Sequence, residues 1–300
     1  MDTSLKAVID LGTNTFHLLI GKVRVDGTIE EVYRKRIYVR LAEEGISVIT
    51  DAPYQRGLLA LEKFRTVLST LGDIPVIALG TAALRTAKNG AQFIEEVKSK
   101  YDIDIQLIDG MMEANLIYEG VRHGVDLGSE NSLIMDIGGG SVEFIIANQD
   151  GKLWSRSFPC GVAVLYRKFH KTDPIKPAAI DEMNTWLDDL CMDLLEAIEV
   201  NQPKSLAGAS GSFEVLAASE SEELLSPTEV SSDFFFQRYH EIKYLPLFEI
   251  EQIPWIPNER KKLIVVSFAL IDWIISKLHS EKIVISPYAL KEGIFFTDLY

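Results

Sequence analysis

The sequence predicts an α/β protein that consists of two similar halves. Strand-like apolar runs alternate with helix-like segments along most of the 300 residues. A strand, a glycine-containing turn and a second strand occur near the start of the chain, and the same pattern recurs 126 residues later. The length is about twice that of a common domain. We therefore expect two α/β units, each beginning with an equivalent hairpin.

The elements of the first half follow from apolar periodicity and from residues that start helices. Thr50 or Asp51 would cap a long helix, and Pro53 lies in its first turn, where proline is favoured. After the first hairpin we predict a strand at 29–39, a helix at 51–71, a strand at 75–79, helices at 81–88 and 90–101, a strand at 103–108 and a helix at 111–121.

The second half repeats the order of hairpin, helices and strands. Residues 219–232 are rich in Ser and Glu, which is typical of a surface loop. We predict hairpin strands up to about 158, a helix near 161–169, a long helix ending near 200, a strand at 204–207, a turn at 208–211, a helix at 258–278, a strand at 282–285 and a closing helix from about 288.

Composition and charge narrow the possible functions. The 30 basic and 44 acidic residues give a net charge of −14, which argues against a partner held by bulk positive charge, such as nucleic acid or an anionic membrane. The two cysteines, Cys160 and Cys191, form no CxxC pair and indicate a reducing compartment without structural zinc. No signal peptide is visible, and the apolar segment 263–275 is too short to span a bilayer. We expect a cytoplasmic protein.

The two glycine turns have the composition of an anion-binding site. Glycine allows the backbone to approach a ligand closely, and successive N–H groups in such a turn can bind phosphate. Asp10 and Asp136 end the strands before the turns, and carboxylates facing each other across a cleft could hold Mg²⁺. An Asp-Gly pair is also an ordinary hairpin turn, but two matching copies favour the phosphate interpretation.

The motifs resemble those of the exopolyphosphatase and guanosine pentaphosphate phosphohydrolase (Ppx/GppA) family, within the actin, Hsp70 and sugar-kinase superfamily. Two departures from the family pattern are Met112, where an acid is frequent, and Lys291, where Arg is frequent. The chain resembles the short, two-domain form of the family. The motifs that carry the resemblance lie at 10–17, 80–85, 110–114, 136–143, 208–212 and 290–293.

The resemblance implies two ribonuclease H-like (actin-like ATPase) domains that flank a deep cleft. Domain I would comprise residues 1–120 plus about 288–300, and domain II residues 121–287, with the final helix crossing back onto domain I. It also implies an exopolyphosphatase that removes terminal orthophosphate from inorganic polyphosphate, with Mg²⁺ or Mn²⁺ as cofactor. A homodimer is plausible on the same ground.

The resemblance also assigns roles to individual residues. Glu113 would be the general base, and Arg85 would grip phosphate oxygens. Asp10, Asp136 and Glu143 would hold the metal. The phosphate-binding residues would be those of the two turns, namely Gly12, Thr13, Asn14, Thr15, Gly138, Gly139, Gly140 and Ser141.

Several alternatives stay open at this point. Guanosine pentaphosphate is a second substrate, and a nucleotide-binding regulatory or assembly protein and an ATP-dependent small-molecule kinase use the same fold. Without the family motif, Glu113 is a solvated helix-start residue and Arg85 a surface residue. A basic cluster could guide a polyanion or protect an edge strand by charge. The roles of Arg40 and Lys291 are left open; the cluster consists of Arg34, Lys35, Arg36 and Arg40.

Overall fold

Each half of the chain builds one mixed β-sheet. The structure is a computed structural model that describes residues 4–217, 226–278, 280 and 282–297. The first sheet contains β1 (Lys6–Leu11), β2 (Thr15–Val23), β3 (Ile29–Tyr38), β4 (Val76–Gly80) and β5 (Ile105–Leu107). The second contains β6 (Ser132–Ile137), β7 (Val142–Asn148), β8 (Gly151–Phe158), β9 (Ser205–Ala209), β10 (Thr228–Ser231) and β11 (Lys282–Ile285).

The two sheets share one topology. The first has the strand order β3-β2-β1-β4-β5, and the second contains the equivalent order β8-β7-β6-β9-β11, with β10 added at its edge. In both, the opening hairpin is antiparallel, whereas the next two strands add in parallel. The internal repeat seen in the sequence is therefore a repeat of folding units, and the predicted two-unit α/β class is confirmed.

Twelve helices are present in the described part of the chain. They are α1 (Asp51–Leu68), α2 (Ala82–Thr86), α3 (Gly90–Tyr101), α4 (Gly110–Gly124), α5 (Val162–Phe169), α6 (Pro177–Leu190), α7 (Met192–Asn201), α8 (Gly211–Ala217), α9 (Ser232–Ile242), α10 (Leu247–Ile250), α11 (Ile264–Leu278) and α12 (Leu290–Gly293), with a 3₁₀ turn at Ile294–Phe296. Within the ranges just given, no helix is both long and apolar enough to cross a membrane.

Several predicted elements differ from the structure, and one of them is the turn expected at 208–211, where β9 continues to Ala209 and α8 begins at Gly211. The long helix that was expected to end near 200 is two helices, because the chain leaves helical geometry at Cys191 (φ −105°, ψ 26°) between α6 and α7. The helix expected from 258 begins at Ile264, after a series of turns. The loop expected at 219–232 contains β10, because residues 228–231 pair with β11; its residues 219–225 lie outside the described residues.

Helices α4 and α12 lie between the two sheets and connect them. One apolar cluster contains Val8 and Leu79 of the first sheet together with Ile134 and Ala207 of the second, and both helices contribute to it. The helices lie so close together that a Cβ atom on Gly293 would be only 1.8 Å from the Leu116 carbonyl oxygen, and glycine permits this approach because it has no side chain. The closing helix therefore does pack on α4 and β1 of the first half, as expected, although α12 is only four residues long.

Candidate functional site

The two glycine turns face each other across a single cleft. A Cβ atom on Gly139 would lie 2.7 Å from Asn14 Nδ2 and 2.9 Å from Thr13 Cβ, so the turns are almost in contact. The cleft has an empty volume of about 840 Å³. All eight residues predicted to bind phosphate line it, namely Gly12, Thr13, Asn14, Thr15, Gly138, Gly139, Gly140 and Ser141.

Both turns leave backbone N–H groups without an acceptor among the described residues. In each turn one amide closes the hairpin: Gly12 N donates to the Thr15 carbonyl at 3.1 Å, and Gly138 N donates to the Ser141 carbonyl at 3.0 Å. Among the described residues, the following turn amides donate to nothing: Thr13, Asn14, Gly139 and Gly140. Unsatisfied amides of this kind at a glycine turn form an anion site.

Glu113 lies in the first turn of α4 and is buried beside this cleft. Asp109 caps the helix, since its carboxylate accepts a hydrogen bond from Met112 N at 2.8 Å. The Glu113 side chain is only 5% exposed, and burial raises the pKa of its carboxyl to about 7, although Arg85 acts in the opposite direction. A carboxylate that titrates near neutrality has the pKa of an effective general base.

Arg85 contacts Glu113 directly. Its Nη1 donates to Glu113 Oε1 and to the Ile108 carbonyl oxygen, both at 2.5 Å. Arg85 was predicted to grip phosphate, but it is not among the residues that line the cleft. In this structure the guanidinium orients the Glu113 carboxylate and limits the rise in its pKa that burial causes.

Three further carboxylates converge on the cleft from strand ends. In the strand register of the first hairpin Asp10 lies opposite His17, and in that of the second Asp136 lies opposite Glu143. Burial raises the pKa of Asp10 to about 7 and that of Asp136 to about 6. Burial, together with the negative charges of Glu113 and Asp136, raises the pKa of Glu143 well above its usual range.

The carboxylates fit a divalent cation only in part. Asp10 Oδ1 is buried and accepts no hydrogen bond among the described residues, so it is free to bind a metal. Asp136 accepts a hydrogen bond from Ser210 Oγ, and Glu143 accepts one from Ser157 Oγ at 2.7 Å. No three acidic or histidine groups in the described ranges form a ready metal cage. Mg²⁺ does not require one, since it commonly takes one or two carboxylates plus water and substrate phosphate.

The cleft contains residues that the sequence reasoning did not assign. Ser210 follows β9 in the left-handed region (φ 69°) and bonds Asp136; the Gly208–Ser212 motif was the signal for it. Lys291 lines the cleft and forms a 3.1 Å ion pair with the fully buried Glu292. His17, Thr81 and Arg260 also line it.

The basic cluster divides into residues with different partners. Arg36 of β3 forms an ion pair with Glu214 of α8 at 2.9 Å, which joins the two halves across the cleft. Arg34 pairs with Glu31 at 2.7 Å and with Glu292 at 3.2 Å. Because β3 is the edge strand of its sheet, the charged-edge interpretation fits these residues. Arg40 lies apart from them and lines a second chamber, a cavity between the end of β3, helix α5 and the segment that leads into α11.

Known proteins with similar sequences and structures point to one family. The sequence profile of the Ppx/GppA phosphatase family matches residues 22–300. The chain is 27% identical to a guanosine-5'-triphosphate,3'-diphosphate pyrophosphatase of Pseudoalteromonas translucida, over 98% of this chain. The match covers 59% of that relative, so the chain spans about three fifths of its length.

Solved structures give the same result. An exopolyphosphatase from Cytophaga hutchinsonii is 34% identical, with a TM-score of 0.92 over 98% of this chain and 97% of that one. A Ppx/GppA family member from Aquifex aeolicus shares the fold, with a TM-score of 0.78 at 20% identity over 97% of this chain and 95% of that one. The chain, whose two glycine turns face each other across a cleft that contains a buried glutamate, belongs to the Ppx/GppA phosphatase family.

Proposed function

We propose that this protein is a Mg²⁺-dependent exopolyphosphatase that releases terminal orthophosphate from inorganic polyphosphate. The observation that carries the proposal is the position of Glu113, a buried carboxylate in a cleft whose two facing turns present unsatisfied amides. The amides would bind the oxygens of the terminal phosphate and leave its phosphorus exposed to a water molecule beside Glu113.

The reaction requires one proton transfer, the formation of one bond to the terminal phosphorus and the cleavage of one bridging P–O bond. Glu113 accepts a proton from water as the water oxygen bonds to the terminal phosphorus. The bridging P–O bond then breaks, and the shortened chain leaves as an anion. Arg85 keeps the carboxylate in place through its 2.5 Å hydrogen bond. Asp10 and Asp136 would hold Mg²⁺, which supplies charge neutralisation for the phosphoryl oxygens when it is bound. Mn²⁺ has similar ligand preferences.

Guanosine pentaphosphate is the second candidate substrate. The relative from P. translucida that matches 98% of this chain is named for that activity, and this favours the candidate. The turns would contact phosphates rather than a base, so they suit either compound. The cytoplasmic location and the homodimer remain predictions from the sequence.

The test is orthophosphate release with Mg²⁺ and no phosphate acceptor, from long-chain polyphosphate, guanosine pentaphosphate and ATP. We expect polyphosphate to be the best substrate. Glu113→Gln should lower kcat by about 10²–10⁴-fold without loss of thermal stability, because the amide cannot accept the proton. Glu119→Gln, on the same helix but paired with Arg122, is the matched control and should retain activity.

Other results would redirect the assignment. Release from ATP only when an acceptor is added would indicate a kinase. Nucleotide binding without any turnover would indicate a regulatory or assembly protein. Unchanged turnover in Glu113→Gln would remove this residue from the mechanism.

A further inference from the structure

The cleft contains an acid that the proposed reaction does not use. Glu214 of α8 lines the cleft together with both glycine turns. Burial acts to raise the pKa of its carboxyl, but the positive charges of Arg36, Lys291 and Arg260 hold that pKa below its usual range, so the side chain is ionised near neutrality. A fixed negative charge opposes a phosphate ligand in the same space. Glu214 thus acts against the ligand that the turns would bind.

Arg36 is the partner of Glu214, and its side chain also reaches the cleft. In the first sheet Arg36 lies opposite His17, and His17 lies opposite Asp10. Residues directly opposite each other on neighbouring strands project from the same face of a sheet, so Arg36 lies on the face that carries Asp10. Arg36 is itself one of the residues that line the cleft. Its guanidinium can therefore meet an anion in the cleft as well as Glu214.

The contact between the two side chains is of the kind that arginine makes with phosphate. Arg36 Nη2 donates to Glu214 Oε1 at 3.1 Å and to Glu214 Oε2 at 2.9 Å. Carboxylate and phosphate oxygens both match the arginine fork, and hydrogen bonds between charged groups are roughly twice as strong as neutral ones. A phosphate in the cleft and Glu214 would therefore compete for the same N–H groups.

Helix α8 keeps Glu214 within reach of Arg36. The neighbours of Glu214, Phe213 and Val215, are buried in the core of the second half, so the helix cannot turn Glu214 away from the cleft. Arg36 belongs to the first half, on β3. Glu214 can therefore release Arg36 only by rotation of its own side chain or by separation of the two halves.

We propose that Glu214 limits the affinity of the cleft for phosphate by competing for Arg36. Glu214 is in this sense a positioning residue, because it acts through Arg36 and contacts no reacting atom. When the orthophosphate product dissociates, Glu214 takes its place on the guanidinium, and this exchange favours release. The inference rests on the proposed function, because it assumes that phosphate groups occupy the cleft between the glycine turns.

The test measures how tightly orthophosphate binds to Glu214→Gln, by calorimetry and as a product inhibition constant. Glutamine retains the size of the side chain and removes its charge, so Arg36 becomes free for the ligand. We expect orthophosphate to bind about tenfold more tightly than to the wild type, and KM for long-chain polyphosphate to fall in parallel. Arg36→Gln should bind orthophosphate about tenfold more weakly. A purely structural role of Glu214 would not give tighter binding, since a loosened cleft binds less well.

Two further variants separate contact from charge. Glu229→Gln removes the same charge from the second half, but Glu229 is exposed and pairs with Lys282 at 2.9 Å. Its charge is screened by solvent, so orthophosphate affinity should change by less than about twofold. Glu214→Asp retains the negative charge and shortens the side chain by one methylene group. It should hold Arg36 less well, and so bind orthophosphate more tightly than the wild type does.

The outcomes also separate the inference from the function on which it rests. Equal or weaker orthophosphate binding in Glu214→Gln overturns the inference, as does an equal gain in Glu229→Gln or unchanged binding in Arg36→Gln. Wild-type affinity in Glu214→Asp overturns it too, because Glu214 would then act through its charge alone. If the wild type releases phosphate from no substrate, the proposed function fails. Calorimetry then decides the inference: tighter binding to Glu214→Gln supports it, and equal binding, or none to either protein, overturns it.

Discussion

Burial gives Glu113 a different chemistry from that of an ordinary surface acid. The carboxyl is 5% exposed and its pKa is about 7, while the Arg85 guanidinium that bonds it limits the rise. In its protonated form Glu113 cannot accept a proton from water. As the proposed general base, the residue would therefore be active only above the pH at which it ionises.

This pKa predicts the acid side of the pH profile. We expect kcat/KM for polyphosphate to rise with pH below about 7 and to level off above it. Arg85→Gln removes a positive charge that lowers the pKa, so the rise should move to higher pH. Arg122→Gln is the control, because Arg122 of α4 pairs with Glu119 and not with Glu113. This variant should leave the pH of the rise unchanged. The assignment of Glu113 as the general base would be contradicted by a kcat/KM that does not change between pH 5 and 8, or by a rise that moves to lower pH in Arg85→Gln.

At the scale of elements, the crossing of α4 and α12 positions the site. Helix α4 carries Glu113, and α12 carries Lys291 and Glu292, which reach toward the cleft and toward Arg34. The two helices touch through backbone atoms: a Cβ atom on Gly120 would lie 2.1 Å from the Ala289 carbonyl oxygen, and the contact at Gly293 is closer still. Backbone atoms cannot move aside as a flexible side chain can, so this crossing tolerates no added methyl group.

We therefore expect Gly293→Ala to be strongly destabilising. Its Cβ atom would lie 1.8 Å from the Leu116 carbonyl oxygen, so the helices must separate, at a cost of about 1–3 kcal/mol or more in the free energy of unfolding. Gly57→Ala is the matched control, because its Cβ atom would meet side-chain atoms rather than backbone: the Phe93 ring at 2.9 Å and the Phe16 ring at 3.5 Å. The gain in helix propensity of about 1 kcal/mol should offset part of that clash. Denaturant unfolding measures the free energy of unfolding of both variants. An equal loss in the two would disprove the claim that the backbone contact at Gly293 is the more costly one.

At the scale of the whole molecule, the two halves bring four buried acids into one cleft. The pKa values of Asp10, Glu113, Asp136 and Glu143 are all raised, so the folded protein holds protons that the unfolded chain releases. Stability from such groups is present below the unfolded pKa values, near 4, and is lost as pH rises through about 6–7. A cation between the halves would reverse this loss.

Metal-free protein should therefore melt at a lower temperature at pH 8 than at pH 5. In EDTA we expect Tm to fall across this range, by ~2–4 °C for each kcal/mol lost. Added Mg²⁺ should raise Tm at pH 8 more than at pH 5, because ionised carboxylates bind it. Asp10→Asn should reduce both effects. A Tm that rises from pH 5 to 8 in EDTA would contradict the raised pKa values, and no response to Mg²⁺ at either pH would refute the metal assignment.

The sequence alone determined the repeated units and the residues of the two glycine turns. Apolar runs that flank a glycine turn predict a strand hairpin from local conformational preferences, and the second copy favoured the phosphate interpretation over an ordinary turn. The register of each hairpin, with Asp10 opposite His17 and Asp136 opposite Glu143, was read from the structure and was not predicted. Helix α8 was missed because its first residue is a glycine in a stretch that is typical of turns.

Only the tertiary structure decided how the site is assembled. Arg85 lies 28 residues from Glu113, and Arg36 lies 178 residues from Glu214. Contacts at such separations depend on how two sheets pack around α4 and α12, which no local pattern encodes. The raised pKa values have the same origin, because desolvation depends on what covers a carboxyl rather than on its sequence neighbours. The basic residues that line the second chamber, Arg40, Arg167, Arg260 and Lys262, likewise come from segments far apart in the chain and meet only in the folded structure.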